Sequence, residues 1–199
     1  MNERFKRGIA LIDAENSKDP RREIANGREQ PQELLYSKRL TEWVLRLEPN
    51  ASEALQLAAR SQHICRWQIP RTNYPATKAG YHQWKNDLKR FHAETTARLL
   101  ESAGYGEEMI RRVMDLNLKA GFPDDSECRT LEDALCLMFL EFQFADLAAK
   151  AEPEKVVNAL RKSWKKMTER AHTAALRLPF SDTEKQLLQK ALEHPQALS

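Results

Sequence analysis

Apolar residues recur at helical spacing along almost the whole chain. Phe5, Ile9 and Ile12 predict a first helix over about residues 3–16. Polar residues punctuated by Pro20, Gly27 and Pro31 predict a loop over 17–31. Leu35, Leu40, Trp43, Val44 and Leu47 form the next stripe, which Pro49 stops. Asn50 and Glu53 have capping-box spacing and open a third helix that runs through His63. Pro70 and Pro75 exclude a continuous helix over 68–78. Tyr81, Trp84, Leu88, Phe91 and Leu99 predict a long helix to about Ser102, ended by Gly104. Another follows from about Gly106 to Lys119, then a polar loop over 120–129. From Thr130 the run TLEDALCLMFLEFQFADLAAK is apolar nearly all round, which predicts a buried central helix. Pro153 suits the first turn of the following helix, whose core face is Val156, Leu160, Trp164 and Met167. Ser181 and Glu184 again have capping-box spacing and open a short terminal helix over about 182–193. The expectation is an all-α protein: one domain over residues 1–199, about eight helices, with its core at about 3–178.

Composition narrows the function classes. Hydrophobic residues make up 41% of the 199 positions and charged residues 31%, as in a folded, core-forming chain. Lys and Arg number 32 against 29 Asp and Glu, a net charge of +3, too small an excess to favour a nucleic-acid partner by bulk charge. Cys65, Cys128 and Cys136 are odd in number and show no CxxC spacing, which speaks against a disulfide framework or a zinc ribbon. The longest uncharged apolar run, Ala134–Leu140, is too short to span a bilayer, and the first twenty residues are too charged for a secretory signal. A cytoplasmic protein without a membrane partner is expected.

The chemistry-bearing residues concentrate in Ala58–Pro75, AARSQHICRWQIPRTNYP. His63, Arg66 and Arg71 stand there beside Trp67 and Tyr74. Arginine forks match the oxygens of phosphate and carboxylate groups, and aromatic rings supply a rigid apolar wall. In the plainer alternative both arginines pair with acidic side chains and pin the proline-containing loop. His92 borders the buried face of its helix, where a histidine serves as a metal ligand, an acid/base group or a satisfied core residue. Asp133, near the predicted start of the central helix, fits either an N-terminal cap with Thr130 or a ligand position in a helical site. In RKSWKKM, Arg161, Lys162, Lys165 and Lys166 surround Trp164 as a solvated basic face. Walker, GxSxG, HExxH and Rossmann patterns are absent from the sequence.

The run LLYSKRLTEWVLRL, then QHICRWQIPRTNYP, GYHQW, FHAE, TLEDALCLMFLEF and RKSWKKM resembles domain of unknown function 4202, an uncharacterised bacterial and fungal family. More distantly, the order of motifs is similar to that of His-Asp (HD) phosphohydrolases, which are all-α domains with an early metal-binding His, a His-Asp pair and a late Asp. That resemblance aligns His63 with the histidine of the pair, Asp133 with the late aspartate and His92 with an intervening histidine. The aspartate of the pair is replaced by Ile64, the early histidine falls near Tyr36 or Ser37, and an auxiliary histidine falls near Lys119. Two of four principal ligands are therefore missing, and a two-metal hydrolase mechanism is not expected.

The resemblance implies catalytic roles for His63, His92 and Asp133, a set that could also hold one divalent metal, with Glu94 assisting. Arg66, Trp67, Arg71, Tyr74 and Lys119 are the expected ligand-binding residues, with the cations in place of metal charge. The leading expectation is an HD-like domain that binds a small anionic or phosphorylated ligand, with hydrolysis of a phosphoester as its furthest extension. The alternative is a non-catalytic helical adaptor for a protein or RNA, presenting Trp67 and Tyr74 on an open surface.

Overall fold

The computed structural model describes residues 2–193 and is predominantly α-helical, as the hydrophobic pattern predicts. Among the described residues no helix is long and apolar enough to cross a membrane. The chain divides into two compact units, Met1–Cys128 and Arg129–Ser199.

The first unit contains helices α1 (Glu3–Asn16), α2 (Gln32–Leu47), α3 (Glu53–Ser61), α4 (Lys78–Ser102) and α5 (Glu107–Leu118). Helix α3 packs against α1, α2 and α5, and α4 lies along α5. Leu40, Val44, Leu55, Leu57, Ala58, Leu100, Val113 and Leu116 fill the interior at about full burial. Each of these Leu and Val side chains contributes roughly 1.5–3 kcal/mol by leaving water. The cap of α3 is Ser52, whose side chain accepts from the Leu55 backbone N–H, rather than the expected Asn50. The helix also ends at Ser61, two residues before His63.

The expected loop over 17–31 contains a two-stranded antiparallel hairpin, β1 (Arg22–Ala25) and β2 (Arg28–Pro31). Asn26 and Gly27 join the strands with φ of 52° and 70°. Positive φ at both central residues is the geometry of a tight hairpin turn, and Asn-Gly is the pair that tolerates it best. Half of the strand residues are charged (Arg22, Glu23, Arg28 and Glu29), so no apolar alternation announced them.

The proline-containing connection, expected over 68–78, spans residues 66–77, with two short 3-10 turns at Arg66–Gln68 and Arg71–Asn73. It leans on the first turn of α4 so closely that a Cβ added to Gly80 would lie 2.4 Å from the Pro75 carbonyl oxygen. Gly80→Ala should therefore push the connection off the helix and cost about 1–3 kcal/mol in urea unfolding. A cost below about 0.5 kcal/mol would mean that the connection shifts freely.

The second unit holds most of α6 (Ser126–Phe142), with α7 (Phe144–Lys150), α8 (Pro153–Lys166), α9 (Glu169–Ala175) and α10 (Asp182–Leu192). Helix α6 is buried almost all round from Thr130 to Leu140, as its composition predicts. It starts four residues before the predicted start at Thr130, which places Asp133 in its interior rather than in its first turn. The predicted single helix breaks at Gln143 and resumes as α7, because Phe144 turns inward against Phe139 and Phe180. The capping box of Ser181 and Glu184 forms as expected. Val156 and Leu160 are buried, whereas Trp164 is half-buried and stacks face to face on His172 at 4.2 Å.

Candidate functional site

Where α3 ends, the chain turns sharply through Gln62–Cys65. Cys65 takes a left-handed conformation with φ of 54°, and its N–H is held by the Asn16 side chain. That turn buries Ile64 completely and swings His63 and Arg66 to one side. Ile64 thus occupies the expected aspartate position with an apolar side chain that faces the core. Its carbonyl oxygen, however, accepts a 2.7 Å hydrogen bond from Nδ1 of His92 on α4. The backbone of the turn and the histidine of the neighbouring helix are locked together.

His63 is the centre of the cluster. Its ring stacks on Tyr36 of α2 at 4.4 Å and lies 5.9 Å from the His92 ring. Nε2 of His63 is 3.4 Å from a guanidinium nitrogen of Arg66. Arginine only donates, so Nε2 is the acceptor and the proton of the neutral ring sits on Nδ1. Nδ1 faces the Glu33 carboxyl group of α2 at 3.9 Å. Arg66 also lies over the Trp84 ring at 5.1 Å, and the Trp84 N–H donates to the Ile69 carbonyl.

Glu33 is held from the hairpin side. Arg21 grips Asp19 through two hydrogen bonds of 3.0 and 2.9 Å and reaches Oε1 of Glu33 at 2.7 Å. Asp19, fully buried, accepts the Glu33 backbone N–H as well. The role of the hairpin is to deliver Arg21 to this carboxylate pair. Burial pushes the Glu33 pKa up, although Arg21 opposes it.

The electrostatics run one way. Burial and then the charges of Arg66, Lys119 and Arg21 hold the His63 pKa well below the ordinary histidine value, so the ring is neutral. Burial lowers that of His92 to about 4. Lys119 bears on His63 from the left-handed C-terminal cap of α5, where φ is 59°. Cys65 is no nucleophile here, because burial raises its thiol to about 11. The first unit therefore gathers two neutral imidazoles, two buried carboxyl groups and three cationic side chains around one turn.

The family model for a domain of unknown function, DUF4202, matches residues 6–188. The chain belongs to the DUF4202 family. No curated protein and no solved structure matches it. The DUF4202 match covers the hairpin, the His63 turn, α4 and α6 together, so both groups of candidate residues lie within the family's region.

Of the residues singled out in the sequence, His63, Arg66, His92 and Lys119 come together in this DUF4202 chain. Arg71 is turned to the connection instead: it donates to the carbonyls of Tyr74, Pro75 and Thr77 and so pins it. Tyr74 donates to Asp87, and Trp67 is half-buried. Asp133 belongs to the second unit, fully buried, with one oxygen on the Thr168 N–H and the other on the Thr168 hydroxyl. Glu94 is exposed. Among the described residues no group of three or more His, Cys, Asp or Glu side chains is placed to hold a metal ion.

Sequence reasoning did not single out Asp19, Arg21, Glu33, Gln62 or Asn117. The Asn-Gly pair was the available signal for the hairpin and hence for Arg21. Glu33 carried none, since a glutamate in the first turn of a helix is ordinarily a dipole partner.

Proposed function

We propose that the first unit binds a small anionic ligand, a phosphate monoester, at the His63 turn. The observation that carries this reading is the position of Arg66. Among the described residues its side chain meets His63 and the Trp84 ring and has no carboxylate within hydrogen-bonding range. A guanidinium stacked on an indole and otherwise turned to a neutral imidazole keeps most of its fork for an incoming anion. Lys119 adds charge from the C-terminal cap of α5, and burial first, then the charges of Arg66 and Lys119, keep His63 neutral.

The donor set does not suit a metal ion. The His63 nitrogen that would ligate is capped by Arg66, and three cations surround the ring. Side-chain cations take the place of metal charge in this reading. If the ligand is hydrolysed, Nε2 of His92 is the unprotonated nitrogen suited to receive a proton. The adaptor alternative is less favoured, because Trp67 and Tyr74 are half-buried rather than presented on an open face.

Calorimetric titration with propyl phosphate tests the reading. Arg66→Ala should weaken binding roughly 10- to 100-fold, the loss expected for charge-assisted hydrogen bonds, while helical circular dichroism is retained. Unchanged affinity in a folded variant would remove Arg66 from the site.

A further inference from the structure

Four side-chain atoms of the first unit are buried without a hydrogen-bond partner: Oε2 of Glu33, Nε2 of His92, Oε1 of Gln62 and Oδ1 of Asn117. The four residues are between 0 and 5% exposed. Buried polar atoms in folded proteins are almost always satisfied, so four beside the same Ser61–Ile64 segment call for a partner.

Their chemistry is uniform. Nδ1 of His92 donates to the Ile64 carbonyl, so Nε2 bears only a lone pair. The amide orientations are fixed in the same way. Gln62 donates through Nε2 to the Asn117 carbonyl. The Asn117 side-chain nitrogen donates to the hydroxyls of Ser61 and Thr96, whose own protons are already given to Leu57 and His92 carbonyls. Flipping either amide would set acceptor against acceptor. The unpaired Gln62 and Asn117 atoms are therefore acceptors too.

Glu33 supplies the remaining atom. Its Oε1 is taken by Arg21, and Oε2 lies 3.9 Å from the His63 Nδ1–H. That is too long for a direct hydrogen bond and short enough for one oxygen atom to reach both. A hydroxyl fits, since it accepts from His63 while donating to Glu33. It also serves Glu33 in either protonation state, whereas an ammonium serves only the charged one.

We infer that the ligand of this site is a hydroxylated phosphate ester, its phosphate on the Arg66 side and its hydroxyl groups on Glu33 and His92. The inference rests on the anion-binding reading and adds the half of the ligand that the cations do not explain. A plain anion would leave the acceptors unpaired and would place lone pairs opposite lone pairs. The site then selects among phosphates by their hydroxyls, because an ester lacking them strands buried acceptors.

The test compares glycerol 3-phosphate with propyl phosphate, equal in carbon number and differing in two hydroxyls, by calorimetry on the full chain. Glycerol 3-phosphate should bind at least roughly tenfold more tightly. Glu33→Gln should narrow that ratio; a ratio as wide as the parent's would remove Glu33 from the hydroxyl site. On ¹⁵N-histidine-labelled protein, the His92 Nε2 resonance should move with glycerol 3-phosphate and stay still with propyl phosphate. Equal binding of the two esters would overturn the inference and leave the anion reading standing. Binding of neither ester would overturn both.

Discussion

Asp133→Ala should destabilise the protein by about 3 kcal/mol, enough to lower its urea midpoint clearly, without weakening phosphate-ester binding. The Asp133 side chain is fully buried in α6, and both of its oxygens are committed within the second unit. One accepts the Thr168 backbone N–H at 2.8 Å and the other the Thr168 hydroxyl at 2.6 Å. Thr168 is the N-cap of α9, and its hydroxyl oxygen in turn receives the Ala171 N–H. Truncation would remove two hydrogen bonds, strand a backbone donor and leave the cap unoriented. Asp133→Asn should cost less, because the amide oxygen still takes the N–H and the hydroxyl can rotate to accept from the amide nitrogen. The pair of variants separates two roles. A residue that ligates a metal or orients a catalytic group loses function on truncation with little loss of stability. A cap loses stability first. An Asp133→Ala protein as stable as the parent would refute the capping role.

That residue also shows what a sequence can and cannot reveal. Asp133 stood out because a carboxylate near the start of an apolar helix has few explanations, and its burial supports the instinct that it matters. The helix, however, begins at Ser126, and no apolar periodicity marks its first turn. Four residues of error convert a first-turn aspartate into an interior one with a distant partner in sequence. The break at Gln143 was equally hidden, since apolar residues continue on both sides and only packing of Phe144 decides it. By contrast the stripe of α2 was legible and all of it is buried, whereas α4 was legible as a helix but not by its buried face: of its stripe only Leu88 is buried, and Tyr81 is 44% exposed. The same holds for the functional cluster. His63, Arg66, His92 and Lys119 could be chosen by residue type. Glu33 and Arg21 could not, because their meaning comes from a hairpin without apolar alternation that brings position 21 to position 33. The orphaned acceptors of Gln62 and Asn117 are a property of three-dimensional pairing alone.

Between neutral pH and about pH 4 the first unit should lose stability steeply, and His92 should account for about 3 kcal/mol of the loss. His92 is 3% exposed, and burial lowers its pKa to about 4 although the hydrogen bond to the Ile64 carbonyl favours the charged ring. In the unfolded chain the same ring titrates near the ordinary value of about 6.5. The folded pKa is the lower of the two, so the unfolded state takes up the proton first. The stability associated with a neutral His92 is thus fully present above about 6.5, declines as the pH falls, and is gone below about 4. His63 acts in the same direction, because burial and the charges of Arg66, His92, Lys119 and Arg21 all disfavour its protonation. Glu33 acts in the opposite direction. Its pKa is raised by burial, so its contribution is held at low pH and lost as pH rises through the folded value. Urea unfolding at a series of pH values measures the sum, and His92→Gln isolates one part of it. The variant should be less dependent on pH across this window than the parent by up to about 1.4 kcal/mol per pH unit. A His92→Gln variant with the same pH dependence as the parent would mean that His92 is not buried as a neutral ring. A bound phosphate ester adds a further sign. Negative charge on the Arg66 side, beside His63, favours the protonated form of that ring, so the ligand should flatten the acid limb as well as raise it. An ester bound elsewhere on the protein would raise stability by the same linkage but leave the slope of that limb as it was.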